Sequence, residues 1–330
     1  MVHFKLPRLD KDDTLRRYLL KYCRLKEGET WNDPKKKHKV ACISATDDKK
    51  IKTLLGRKKA QLAVHDPPYN MVAFDQQRAD KFAEWCKEWI RISFNSLGKD
   101  SSLYVWLGAD QKKHFEPFPE FITMMKDTGF KSRSFITMRN QRGYGTQKNW
   151  MSIRQELLYY TKGNPGFNTN AEYTDIKKVT GGYYKRVNGL LKENLQRSKS
   201  DTIRAGNVWT DIQQVFYLRQ ENINGCYAQK PLKSCERIIE ASSVPNSLVI
   251  DFFAHSGSTL LACEKLNRKC CTVDIDPIYC EISIRRLEHF RETGKLGWQD
   301  SNPFENEIKN DRKIKKYLRD EYGIEAPKSL

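Results

Sequence analysis

Short apolar runs alternate with amphipathic stretches between Val40 and Lys162, and the same alternation returns between Lys230 and Gly294. VACISAT (40–46), AQLAVH (60–65), SLYVWLGA (102–109), SLVIDFFA (247–254) and KCCTVDID (269–276) read as buried strands. DDKKIKTLLG, ADKFAEWCKEWIRISFNSL, FPEFITMMKDTG, KPLKSCERIIEASS, STLLACEKLN and PIYCEISIRRLEHFRETG read as helices between them, while FKSRSFITMRN and ELLYYTKG read as two further strands. Strands separated by helices return in the same direction. The expected fold class is therefore α/β, a mostly parallel sheet with helices on both faces. From about Gly163 to Tyr227 the rhythm stops and Gly, Asn, Tyr, Lys and Arg dominate, so residues 164–227 are expected to be a module inserted between halves 38–163 and 228–294. Residues 1–37 read as a basic arm, and 295–330 as a charged tail with one surface helix.

Charge narrows the partner. The 330 residues carry 59 Lys and Arg against 41 Asp and Glu, a net charge of +18, which favours nucleic acid or an acidic membrane surface. No run approaches 18 apolar residues, and the start MVHFKLPRLDKDD has acids where a signal peptide has its apolar core. A cytoplasmic protein without membrane association is expected. The nine cysteines are odd in number and contain no CxxC pair, as in a reducing compartment. Cys263, Cys270, Cys271 and Cys280 fall on a predicted helix, strand and helix, where thiols pack inside, and no metal is expected.

Two stretches carry chemistry. In AVHDPPYN (63–70), Pro67 and Pro68 stiffen the turn behind a buried strand, so the Asp66 side chain and the Pro67 carbonyl point in nearly preset directions. In DFFAHSGSTLLACEKLNRKCCTVDID (251–276), a turn of small residues joins a strand to a helix, and Asp274 ends the next strand. Such a turn lets backbone approach a ligand, the helix start offers N–H donors, and the acid stands where nucleotide-type sites hold a ribose diol. No GK[ST] follows the turn, so a nucleoside without phosphate fits better than a P-loop ligand.

Together these residues resemble the beta-class S-adenosylmethionine-dependent amino-methyltransferases of DNA. There the DPPY motif comes first, the target-recognition region follows and the cofactor turn lies near the C-terminus, the order seen here. The stretch from Gln229 to Phe290 is similar to the family's C-terminal signature, with its Gln-Lys-Pro entry, and SLYVWLGAD and RQELLYYTKG look like the strands in between. One position departs: the family's FAGSGTT reads here Phe253-Ala254-His255-Ser256-Gly257-Ser258-Thr259. A positive φ at His255 would strain it. It is read as a positional variant, with a contact to the cofactor pocket as the alternative.

The resemblance implies a Rossmann-like methyltransferase fold with a seven-stranded sheet and an inserted target-recognition module. Asp66, Pro67, Pro68 and Tyr69 would be catalytic, with Asp66 and the Pro67 carbonyl accepting the N–H bonds of the target amine and Tyr69 stacking on an extruded base. S-adenosylmethionine would meet Asp47, Asp66, Lys230, Asp251, Phe252, Phe253, His255, Ser256, Gly257, Ser258, Thr259 and Asp274. Double-stranded DNA would meet Lys185, Arg186, Arg197, Lys199 and Arg204, interleaved with Tyr183, Tyr184 and Trp209. DPPY rather than SPPY favours adenine N6 over cytosine N4. A DNA-binding protein that keeps the fold without catalysis, suggested by His255, is the competing class. The resemblance leaves room for a homodimer and a partner restriction nuclease.

Overall fold

The computed structural model describes residues 6–68, 78–108, 113–144, 150–169, 173–177, 184–193, 202–299 and 301–324. In chain order its strands are β1 (Thr30–Asn32), β2 (His38–Cys42), β3 (Ala60–His65), β4 (Leu97–Leu107), β5 (Lys131–Tyr144), β6 (Ser152–Lys162), β7 (Tyr173–Lys177), β8 (Tyr184–Val187), β9 (Leu190–Glu193), β10 (Thr202–Arg204), β11 (Val208–Trp209), β12 (Leu248–Asp251) and β13 (Lys269–Asp274). The helices are α1 (Asp13–Leu20), α2 (Asp48–Leu55), α3 (Ala79–Ser96), α4 (Phe118–Met125), α5 (Leu232–Ser242), α6 (Ser258–Lys265), α7 (Pro277–Thr293), α8 (Glu305–Asn310) and α9 (Arg312–Tyr322).

The main sheet runs β1-β2-β13-β12-β3-β4-β6-β5-β11. β2, β13, β12, β3 and β4 are mutually parallel, whereas β6 is antiparallel to both β4 and β5. Seven strands were expected and nine are present among the described residues. The additional two are short edge strands: β1 folds back antiparallel on β2 through the turn at Lys36, and β11 returns from the insertion to lie parallel to β5. Strand alternation separates two cores. Val40, Leu62, Val64 and Trp106 face α5, α6 and α7, while Ala41, Ala63, Leu103 and Val105 face α2, α3 and α4. Helix ends follow local chemistry: Asp276 caps α7 by accepting from the Ile278 N–H, Pro277 occupies its first turn, and Gly294 closes it at φ +73°.

Three segments depart from the sequence expectation. The arm and the tail are not loose appendages. Leu9, Leu15 and Leu19 from residues 1–37 pack with Phe304, Ile308, Ile314 and Leu318 from 295–330 and with Ile278 and Ile282 of α7, forming a third core. The tail holds two helices, α8 and α9. Apolar residues on these short helices have no other face to bury against. Within the insertion, residues 208–227 join the body of the protein: Trp209, Ile212 and Ile223 are buried. Cys263, Cys270, Cys271 and Cys280 are buried free thiols, and burial pushes the Cys271 thiol up to about 12. Among the described residues no helix is long and apolar enough to cross a membrane.

Candidate active site

The strand order creates a crevice at one edge of the sheet. From β12 the chain crosses through α6 to β13 on one side, and from β3 it crosses through α3 to β4 on the other. At the carboxyl ends of β12 and β3 the connections therefore diverge, the arrangement that opens a ligand crevice in α/β sheets. Asp66 follows β3, Asp251 ends β12 and Asp274 ends β13, so parallel pairing carries three acids remote in sequence to one edge.

Asp66 lines this cleft with Val64, Trp106, Lys230, Asp251 and Phe253. Lys230 Nζ donates to Asp66 Oδ2 at 2.8 Å, with the lysine side chain 10% and the aspartate 22% exposed. The ammonium also lies 5.4 Å from the Trp106 ring centroid, so an aromatic face and a carboxylate hold it together. Beneath Asp66, the fully buried His65 fixes the strand end. Its Nδ1 accepts the Phe252 N–H (3.1 Å), which requires the proton on Nε2, and Nε2 then donates to Ser93 Oγ (2.9 Å). Ser93 Oγ passes its own hydrogen to the Trp89 carbonyl (2.8 Å). Burial lowers the His65 pKa and raises that of Asp251, 4.0 Å away, consistent with a neutral imidazole.

The turn after β12 is held from three sides. His255 donates its N–H to Asp274 Oδ2 (2.8 Å), and the Asp276 N–H bonds Oδ1 (3.0 Å). Each carboxylate oxygen retains a lone pair for a second donor. Burial pushes the Asp274 carboxyl up to about 7 against these two N–H bonds. Gly257 has φ +74°, and a Cβ there would stand 3.0 Å from Ser283 of α7, so both backbone shape and close helix approach demand glycine. His255 adopts φ +44° with its ring against Tyr279 (centroids 4.4 Å), and burial lowers its pKa to about 4. The strain anticipated from the sequence is real.

Lys230, Asp251, Phe253, His255, Ser256, Ser258 and Thr259 meet Asp66 in the cleft, and Ser258 Oγ donates to the Lys230 carbonyl (2.8 Å). Four candidates do not line it: Gly257 within the turn, Asp274 behind it, Asp47 and Phe252. Asp47 caps α2 by accepting the Lys50 N–H (3.0 Å), and Phe252 is turned into the core, stacked on His65. Pro67 is buried beside Asp66 and Pro68 is half-buried, while Tyr69 lies outside the described residues. Arg286 was missed by sequence reasoning. Fully buried, it donates through Nη1 to the Ser256 carbonyl (3.0 Å) and Ser258 Oγ (3.1 Å), pinning the turn to α7, with Glu221 at 3.8 Å. Its signal was an arginine in register with buried Ile278 and Ile282 at four-residue spacing.

Of the DNA-contact candidates, Arg186 is exposed on β8 and Arg204 on β10; Lys185 lies on β8, but its side chain, like all of Arg197, Lys199 and Tyr183, lies outside the described residues. β8 and β9 form a hairpin closed by Asn188 (φ +51°) and Gly189 (φ +82°). Tyr184 (62% exposed) and Leu191 (66%) are apolar surface on it. Trp209 does not belong with them. It is 4% exposed, donates Nε1 to the Gly206 carbonyl (2.9 Å) and stacks under the Arg237 guanidinium, a core role.

Residues 60–285 match the DNA methylase family of N6 and N4 methyltransferases. The chain is 30% identical over 256 residues to the Type II methyltransferase M1.MboII of Moraxella bovis, covering 73% of this chain and 92% of that one. It is 28% identical to the Type II methyltransferase M.HpaI of Haemophilus parainfluenzae (69% and 68% covered) and 27% identical to the DNA adenine methyltransferase YhdJ of Escherichia coli K12 (68% and 74%). In fold it is similar to the M1.HpyAVI–SAM complex, with a TM-score of 0.52 at 17% identity, covering 76% of this chain and 98% of that one. It is also similar to the cytosine-N4-specific PvuII DNA methyltransferase, with a TM-score of 0.53 at 15% identity, covering 75% and 85%. With most of its length matched, including the Asp66 turn, the glycine turn and Asp274, the chain belongs to the DNA methylase family of N6 and N4 methyltransferases.

Proposed function

We propose that this chain is a beta-arranged, site-specific DNA methyltransferase that transfers a methyl group from S-adenosylmethionine to N6 of adenine. One observation carries the reading: the Asp66 carboxylate, set in a proline-stiffened turn, lines the same cleft as the glycine turn that leads to Asp274. The donor set fits the nucleoside part of that methyl donor, since Asp274, bonded to the His255 N–H of the turn, has lone pairs for a ribose diol, and Phe253 lines the cleft as an apolar wall. When bound, the donor supplies an electron-poor methyl on a sulfonium.

The chain's own residues handle the amine. The adenine amino group is a poor nucleophile because its lone pair is delocalised into the ring. Asp66 and the Pro67 carbonyl each accept one of its N–H bonds, which turns the lone pair out of the ring plane and toward the methyl carbon. Orientation of this kind is worth roughly 7–11 kcal/mol in favourable cases. Lys230 holds Asp66 Oδ2 in position. The N–C bond forms as the S–C bond breaks, and the amine proton, now acidic, leaves through Asp66 or solvent. The β8–β9 hairpin, with Tyr184 and Leu191 beside Arg186, suits a duplex from which the base is extruded, by contacting phosphate and filling space. Adenine is favoured by Asp66 at the head of the motif and by the adenine-specific name of one relative. Residues 38–163 and 228–294 would serve as catalytic and cofactor halves and 164–227 as the recognition module.

The test is transfer of labelled methyl to mixed-sequence DNA followed by digestion to nucleosides, with Asp66→Ala in parallel. Label in N6-methyladenosine, reduced at least about a hundredfold in the variant with donor affinity within a few-fold, is expected. Label in N4-methylcytosine, or a variant of near-normal turnover, refutes the assignment.

A further inference from the structure

At the opposite, amino-terminal edge of the parallel strands lies a second cavity, of about 580 Å³. The starts of β2, β12 and β13 and the loop from α2 into β3 form its walls, and six lysines line it: Lys36, Lys37, Lys39, Lys58, Lys59 and Lys269. The lining contains one carboxylate, Asp33, which is already taken by the Arg291 guanidinium at 2.7 and 2.9 Å. Three lysines have visible duties. Lys39 Nζ donates to the Leu54 carbonyl at the end of α2, Lys59 Nζ to the Asn95 carbonyl, and Lys37 approaches Glu264 at 3.5 Å. Lys36, Lys58 and Lys269 are exposed, and no carboxylate among the described residues pairs with them. Like charges gathered around a concavity repel one another and raise its potential, a cost that a polyanion offsets.

We infer that this lysine-lined cavity is a second DNA-binding surface, which holds the phosphate backbone of a duplex segment other than the one whose base enters the catalytic cleft. The inference rests on DNA being this chain's substrate, not on the assignments inside the cleft. The six residues of β3 put about 20 Å of protein between the two edges. A duplex with a persistence length of about 150 base pairs cannot turn around that thickness without a large bending cost, so the far edge takes a second segment. Contact there would be to phosphates, without sequence reading, and would let the enzyme pass between segments while searching for its site.

The test uses the full-length protein and two short duplexes, one carrying a donor dye and the other an acceptor. The parent should bring them together, seen as energy transfer. Lys58→Glu with Lys269→Glu should abolish most of that signal and flatten the log K against log salt slope by about two, at about 0.9 per phosphate lost. Methyl transfer to a single short duplex should be unchanged. Lys36→Ala with Lys58→Ala provides a gentler variant, and thermal melts verify that both are folded. Bridging that is absent in the parent, or that survives both variants with the parent's slope, overturns the inference. A parent that bridges duplexes but never methylates them overturns the reading of the cleft and leaves this surface standing.

Discussion

Replacing Gly257 by alanine separates two reasons for a glycine in the turn after β12. Gly257 has φ +74° and ψ +26°, and a Cβ there would lie 3.0 Å from the Cα, Cβ and Oγ of Ser283. The left-handed backbone alone costs an L-residue about 1–2 kcal/mol. Forcing a methyl against a helix backbone that must shift adds about 1–3 kcal/mol, the range for overpacked sites. Gly294, at the end of the same α7, is the internal control: its φ is +73°, and a Cβ there meets nothing within 4 Å. Gly294→Ala should therefore cost about 1–2 kcal/mol and Gly257→Ala about 2–5 kcal/mol, with the difference reporting crowding alone. Urea unfolding of the parent and both variants measures this, provided the slopes match so that midpoints report stability. Methyl-donor affinity should fall in Gly257→Ala and hold in Gly294→Ala, because only the first displaces the turn. Two variants equal within about 0.5 kcal/mol would refute the crowding argument and return Gly257 to a question of φ alone.

The remaining predictions concern protons and the strand end. Asp274 is raised from its ordinary value to about 7, so between about pH 4 and 7 the folded protein holds a proton that the unfolded chain has lost, and this group makes stability fall as pH rises. His255 is lowered to about 4, so between about pH 4 and 6.5 the unfolded chain holds the extra proton and this group makes stability rise with pH. Asp274→Asn should therefore steepen the gain in stability from pH 4 to 6.5 and His255→Gln should reduce it; urea melts across that window showing pH-independent differences from the parent would contradict both shifts. His65→Leu leaves the Phe252 N–H without its partner, while Ser93 Oγ keeps its bond to the Trp89 carbonyl, and should cost about 1–3 kcal/mol in urea unfolding, the scale for a buried group left unpaired. An effect under about 0.5 kcal/mol would mean water replaces the ring.

The candidate turns were legible because each is announced locally. A strand that ends in Asp66-Pro67-Pro68 or runs into Ser256-Gly257-Ser258 shows its turn in the residue types themselves, through fixed φ at proline and absent Cβ at glycine. Even the strain at His255 followed from its place in that turn. Where sequence reasoning failed, the deciding partner was remote. Trp209 sits in a basic, aromatic stretch, yet β5 and Arg237 bury it.

By itself, then, the sequence determined that the chain alternates strands with helices, that Asp66 stands in a rigid turn, and that the turn before Ser258 must adopt shapes only small residues tolerate well, because these depend on interactions within a few residues. Tertiary structure alone decided that β12 lies beside β3, so that Asp66, Lys230 and Asp251 share one cleft, and that Arg286 reaches the turn from α7. It also decided that Leu15 and Leu19 find Ile314 and Leu318 some 300 residues away. Apolar and charged faces specify that they must be covered or paired, but many remote segments could satisfy each one, and the choice is made by the packing of the whole sheet and its helices.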